Sequence, residues 1–179
     1  MKYSSHILVF LLATFLIWAG CNNNDDDGGI PIDNGGVVID DSNSVRYTFE
    51  GITQTDLNGR VIFNDPTDWR LDDQWEDWEE GLFPEGSATL CDSGENVFLI
   101  GYPNPGDNIT ISIVRNSGTQ MSFRIVDEFL SPLFSRDSAE FDAFTFSSAL
   151  FRRQDTLRLY YKVFQDGCEL RGHGDLLFE

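Results

Sequence analysis

Apolar and polar residues alternate with a period of two over much of the chain from residue 45 onward. Val45, Tyr47 and Phe49 share one face of a strand over 45–49. Asn58-Gly59 is a strong turn signal, and Arg60-Val61-Ile62-Phe63 follows as a strand. Residues 96–102 read as a continuous apolar strand, stopped by Pro103 and Pro105 because proline cannot donate to a ladder. Residues 108–115 alternate cleanly, with Ile109, Ile111 and Ile113 inward and Thr110 and Ser112 outward. Asn116-Ser117-Gly118-Thr119 turns the chain into 121–126, with Met121, Phe123 and Ile125 inward, and the pattern predicts a hairpin. Residues 141–146 are another apolar stretch. Residues 156–164 set Leu157, Leu159, Tyr161 and Val163 against Arg158, Tyr160 and Lys162, and 176–178 read as a closing strand. Short strands at this spacing predict an all-β fold, an antiparallel β-sandwich of immunoglobulin-like outline over residues 45–179.

Helical periodicity is convincing in one place only, residues 73–83. Trp75, Trp78 and Leu82 fall at i, i+3 and i+7 on one face, Asp72 or Asp73 can cap the start, and Gly81 can end it. This stretch belongs to an acidic, tryptophan-rich segment running from Asp65 to Phe83. The plainest expectation is that its tryptophans pack over one open end of the sandwich with the carboxylates in water. Two sharper readings are a flat ligand platform of Trp69, Trp75 and Trp78 for sugar or peptide, and a calcium site from Asp65, Asp68, Asp72 and Asp73. The carboxylate spacing matches no EF-hand loop and lacks its central glycine.

The first twenty residues have a different pattern. Lys2 gives a short charged start, and residues 7–19 are apolar save Thr14, too short for the roughly 20 residues of a spanning helix. Ala19, Gly20 and Cys21 follow in register. This resembles the lipobox of bacterial lipoproteins, with Trp18 where leucine is usual. The resemblance implies cleavage after residue 20 and acylation of Cys21. At about 0.8 kcal/mol per buried CH₂, two or more acyl chains hold a protein on a bilayer. Residues 21–44, rich in Asn, Asp and Gly, then read as a flexible acidic tether reaching roughly 25–30 Å, with Val37-Val38-Ile39 as a transient or added edge strand. Asp25-Asp26-Asp27 resembles the short acidic export signals of surface lipoproteins in bacteria with type IX secretion. That implies an outer-membrane anchor facing the cell surface; a periplasmic-facing anchor is the alternative.

Charge narrows the partners. The sequence has 12 Lys+Arg against 30 Asp+Glu, a formal charge of −18. That argues against nucleic acid and anionic lipid headgroups. With Cys21 acylated, as the lipobox resemblance implies, Cys91 and Cys168 remain. In an oxidising compartment a Cys91–Cys168 disulfide is the expectation, with two buried thiols as the alternative.

Tyr102-Pro103-Asn104-Pro105, followed by Asn108-Ile109-Thr110-Ile111-Ser112-Ile113, resembles the opening of the C-terminal sorting domain of type IX secretion cargo, a small β-sandwich. The resemblance covers residues 101–179. The glycine expected near Glu128-Phe129 and the basic tail are missing. Asp65-Pro66-Thr67-Asp68-Trp69, the same Tyr-Pro-Asn-Pro, Arg158-Leu159-Tyr160-Tyr161-Lys162 and Gly172-His173-Gly174-Asp175 together look like a group of uncharacterised exported lipoproteins, which brings no activity with it. The paired prolines predict a kink that passes the chain from one sheet to the other.

Catalytic chemistry finds little support. His173 is the only histidine after the signal, and Asp175 is a poor partner for it on extended chain. Nucleophile-elbow, zinc-protease, phosphate-loop and dinucleotide motifs are absent from the sequence. The expectation is a membrane-anchored envelope lipoprotein with a non-catalytic binding or assembly module, no cofactor, and a protein or glycan partner. The alternatives are type IX cargo or accessory recognised through residues 101–179, and a small glycan-binding or glycan-processing protein.

Overall fold

In the computed structural model the described residues are 37–39, 45–47, 49, 51–71, 74–84, 86, 88–92, 97–151 and 156–179. Cys21, Asp72 and Asp73, and all of the tether except Val37–Ile39, lie outside them. Strands are β1 (Val37–Ile39), β2 (Val45–Tyr47), β3 (Gln54–Thr55), β4 (Val61–Phe63), β5 (Arg70–Leu71), β6 (Phe98–Tyr102), β7 (Asn108–Val114), β8 (Gln120–Val126), β9 (Pro132–Ala139), β10 (Ala143–Ser147), β11 (Thr156–Gln165) and β12 (Cys168–Leu177). The one α-helix among the described residues, α1, is a single turn, Asp77–Glu80.

Among the described residues every pairing between these strands is antiparallel. Five strands run in the order β5-β12-β11-β8-β9 and three in the order β10-β7-β6; β1 pairs with β2, and β3 with β4. The two larger sheets face each other across one apolar core. Ile109, Ile111, Ile113 and Leu99 come from the smaller sheet, and Phe123, Ile125, Leu157, Leu159, Val163 and Leu176 from the larger. The chain is thus the expected antiparallel β-sandwich. Phenylalanine fills its middle. Phe123 lies 5.6–6.0 Å, ring to ring, from Phe134, Phe141, Phe144 and Phe146. Each such ring removed from water contributes about 1.5–3 kcal/mol.

Three expectations need correction. Residues 108–115 and 121–126 do not form a hairpin. β7 pairs with β6 and β10, while β8 pairs with β11 and β9, so the turn at 116–119 arches from one sheet to the other. An arch and a hairpin bury the same alternate residues, so the pattern does not separate them. The Tyr-Pro-Asn-Pro segment, conversely, does not cross between sheets: it joins β6 to β7 within one. The closing strand is not a stub at 176–178 but ten residues, Cys168–Leu177, paired along its whole length with β11 through an Asp166-Gly167 turn. Both turn residues have positive φ, 51° and 83°, as this kind of two-residue hairpin requires.

The strongest surprise is how the larger sheet is covered. Its outer face is buried too, under the described residues between Asp68 and Cys91, which act as a flap. The flap starts at Asp68 and β5, which pairs with Gly172 and His173 on the edge of β12. It ends at Cys91, where Cys91 N–H donates to Glu169 O at 3.0 Å and the Cys91–Cys168 disulfide closes. That bond spans 77 residues of sequence, a loop whose closure in the unfolded chain is worth about 4.5 kcal/mol on the chain-entropy account. Replacing Cys91 and Cys168 together by serine should therefore lower unfolding free energy in urea by about 3–5 kcal/mol with the β-sheet circular dichroism retained; an unchanged midpoint counts against the disulfide as the flap's fastening.

Candidate functional site

Arg158, Tyr160, Lys162, His173 and Asp175, which the sequence motifs contain, converge with Arg124, Glu169 and Arg171 on the outer face of the larger sheet. Strand alternation sends Arg124 out of β8, Arg158, Tyr160 and Lys162 out of β11, and Glu169, Arg171, His173 and Asp175 out of β12. Register places Asp175 beside Arg158, His173 beside Tyr160, and Arg171 beside Lys162. All of them are buried. Burying an ion is costly unless it is paired and hydrogen-bonded, so each needs a partner from the flap or the sheet.

The partners are present. Arg158 grips Asp175 with two parallel bonds, Nε to Oδ1 at 2.6 Å and Nη2 to Oδ2 at 2.8 Å. Lys162, fully buried, donates to Gly86 O at 2.8 Å and lies 3.4 Å from Glu169 Oε1. Arg171 reaches Glu80 of α1 at 2.6 Å. Arg124 donates to Leu82 O at 2.9 Å and pairs with Asp137 at 2.6 Å. The aromatic residues of the flap cap the same cations. Arg124 sits 4.7 Å from the Phe83 ring centre, Lys162 5.1 Å from it, and Arg171 5.4 Å from that of Trp75.

The tryptophans therefore do not form a ligand platform. Trp75 is buried against Phe83 and edge-on to Tyr160, and Trp78 also packs on Tyr160. Trp69 goes elsewhere, into the sandwich core, where a Cβ on Gly174 would sit 2.4 Å from its ring and one on Gly101 2.8 Å. Gly174 is glycine because the indole occupies that space. Trp69 itself has φ of 54°, a left-handed conformation that turns its ring inward from a chain otherwise lying on the outside. The flap covers a sheet face rather than an open end of the sandwich, and its carboxylates are not all solvated: Asp68 and Glu79 are buried. The helical face Trp75, Trp78, Leu82 does not form as predicted, because only Trp78 lies within the one-turn helix; all three side chains nonetheless join a cluster with Val126 and Tyr160. The helix starts later than its pattern predicts, after Glu76, whose N–H donates to Glu79 Oε2 at 2.8 Å, and it stops at Gly81.

The calcium set is also redirected. Asp65 Oδ1 accepts from Thr67 N–H at 2.8 Å and from its hydroxyl at 2.7 Å. Asp68 accepts from Thr53 N–H and Asp175 N–H, both at 2.7 Å. These oxygens hold the backbone. Asp72 and Asp73 are outside the described residues, and among the described residues no group of carboxylates, histidines and cysteines gathers that could hold a metal ion. An open groove of about 350 Å³ runs past Gly118, Gln120, Phe164 and Cys168. Its only charged lining residue is Asp166.

Sequence reading missed the central role of Asn104. β12 runs on past the end of β5, and its exposed edge needs substitutes for a neighbouring strand. Asn104 Nδ2 donates to Asp175 O at 2.8 Å and to Thr53 O at 3.1 Å, and its Oδ1 accepts from Leu177 N–H at 2.8 Å. With Asp68 it satisfies both main-chain groups of Thr53 and both of Asp175. Two side chains thus do the work of a strand. No family model, curated protein or solved structure matches this chain.

Burial shifts two of the titrations in opposite directions. Desolvation, with Asp175 beside it, pushes Asp68 up to about 7, against the pull of its two backbone N–H donors. Desolvation, aided by Arg158 and Arg70, pushes His173 down to about 3; a bond with the Thr67 backbone works the other way. Burial also raises the Asp175 carboxyl, while Arg158 pulls it back. A raised carboxyl makes the fold bind more protons than the unfolded chain, so Asp68 adds stability as pH falls from about 7 towards 4. A histidine held neutral does the reverse, so His173 removes stability as pH falls from 6.5 towards about 3.

His173→Gln should therefore gain on the native chain by up to about 1.4 kcal/mol per pH unit below pH 6.5 in urea unfolding. A constant difference from pH 7.5 to 4.5 would show that His173 is not held neutral. Asn104→Ala, which strands Thr53, Asp175 and Leu177 main-chain groups, should cost about 3 kcal/mol at any pH in that range. A loss under about 1 kcal/mol means that water replaces the amide without penalty.

Proposed function

We propose that this chain is a lipid-anchored protein of the bacterial cell envelope, held on the outer membrane through Cys21, whose sandwich serves as a non-catalytic binding or assembly module. The observation that carries the reading is the sequence of residues 7–21, an apolar run of export length ending in Ala19-Gly20-Cys21. The Cys91–Cys168 disulfide supports it, because such bonds persist in compartments outside the cytoplasm. The acidic run after Cys21 favours the cell surface over the periplasmic face.

The charged layer supports binding or assembly over catalysis. Asp68, Arg158, Lys162 and Asp175 spend their hydrogen bonds on the fold itself. Residues 101–179 are tied to the chain before them at Asn104, β12 and Cys168. That favours one module over a separable sorting segment recognised on its own.

Growth with an alkyne-tagged fatty acid tests the anchor. The native chain should take up the label and partition into the detergent phase, while Cys21→Ser should do neither. Label retained in Cys21→Ser overturns the reading.

A further inference from the structure

The outer face of the smaller sheet carries exposed residues at Phe98, Val114, Ala143 and Thr145, around a buried Ile100. Alternation and register make it a grid: Phe98 beside Val114; Ile100, Ser112 and Ala143 in a row; Tyr102, Thr110 and Thr145 in the next; then Asn108 beside Ser147. None of these ten residues is charged, in a chain of formal charge −18. The face is not inert either. Phe98 and Val114 are 53% and 62% exposed, Tyr102 is half-buried, and hydroxyls from Thr110 and Thr145 meet at 2.9 Å.

Charge and chemistry together select an occupant. A nucleic acid or an anionic bilayer would be repelled by the chain as a whole. A second copy would bring the same negative charge, and the face offers no cation to offset it. A neutral polymer meets neither obstacle. Hydroxyls at strand spacing, about 4.8 Å apart across the sheet, can exchange hydrogen bonds with a hydroxylated ligand. Phe98 and Tyr102, on one strand and about 13–14 Å apart by strand rise, offer ring faces at two places along a short oligosaccharide.

We propose that the sheet face formed by Phe98, Tyr102, Thr110, Ser112 and Thr145 is a binding site for a neutral polysaccharide. This deepens the reading of the sandwich as a binding module and rests on it. The aromatic contacts come from β6 and not from the tryptophans, which the fold uses to cover the other sheet.

The test is affinity electrophoresis of the purified full chain through native gels containing glucan, mannan or xylan, with dextran sulfate as the charged control. At least one neutral polymer should retard the native chain while dextran sulfate does not. Phe98→Ala and Thr145→Glu, both at exposed positions, should each weaken that retardation at least tenfold with unchanged melting temperature. No retardation by any neutral polymer overturns the proposal, as does retardation that survives in both variants. A dimer on gel filtration that Thr145→Glu splits also overturns it, in favour of self-association. Because binding is read on purified protein, failure here leaves the fatty-acid result at Cys21 standing on its own.

Discussion

Four cations on one face of one sheet set the terms for the rest of this molecule. Arg124, Arg158, Lys162 and Arg171 project from adjacent strands to the same side, and all four are buried. Left beneath an apolar cover, each would lose its hydration with nothing in return, a cost of several kcal/mol per ion. The flap answers that need in composition as well as shape. It brings carboxylate from Glu80, carbonyl oxygens from Leu82 and Gly86, and the electron-rich faces of Trp75 and Phe83. A segment that looks odd in isolation, acidic and rich in tryptophan, is the complement of the face it covers. Removing one partner of such a pair is far more damaging than exchanging both for apolar residues, so the layer specifies how the flap sits more than it adds net stability.

Two-sided burial also explains which parts of the fold the sequence reveals. Strands with one wet face show themselves: the isoleucines of β7 alternate with threonine and serine, and the sandwich follows from such patterns. β12 does not. Its inward positions include Gly172 and Gly174, and its outward ones Glu169, Arg171, His173 and Asp175, so it reads as a polar, glycine-broken loop. Both glycines have packing reasons that no local pattern contains. A Cβ at 172 would meet Arg70 O and the Tyr161 hydroxyl, and one at 174 would meet Trp69. The Asp166-Gly167 turn was the one local signal that could have announced the strand.

The candidate site was legible in parts rather than as an arrangement. Trp75, Trp78 and Leu82 pack in one cluster, though without the helix their spacing predicts, and Cys91 and Cys168 pair. What they lie against is set by contacts across long stretches of chain, as when Asp68 reaches Asp175, 107 residues away. Asn104 shows the same limit: the flanking prolines are visible, but the reason for the amide between them is the unfinished edge of β12. An open strand edge invites pairing with another chain, and here two buried side chains and Gly106 N–H, which donates to Leu177 O at 3.0 Å, close it from within the fold.

The distribution of charge then acquires a direction. Four of the described arginines and lysines lie beneath the flap, where flap and sheet groups pair them. Withdrawing cations from the surface leaves acidic residues in excess there, which keeps like molecules apart and repels anionic surfaces. Against that background the smaller sheet's uncharged outer face is a distinct surface, reached without the long-range repulsion a charged partner would meet. The same alternation leaves the other sheet with an outward face that is largely hydroxyls, small groups and rings around a buried Ile100, and most of it meets water. Burying the charge on one side is thus what makes the opposite side available for contact with something neutral.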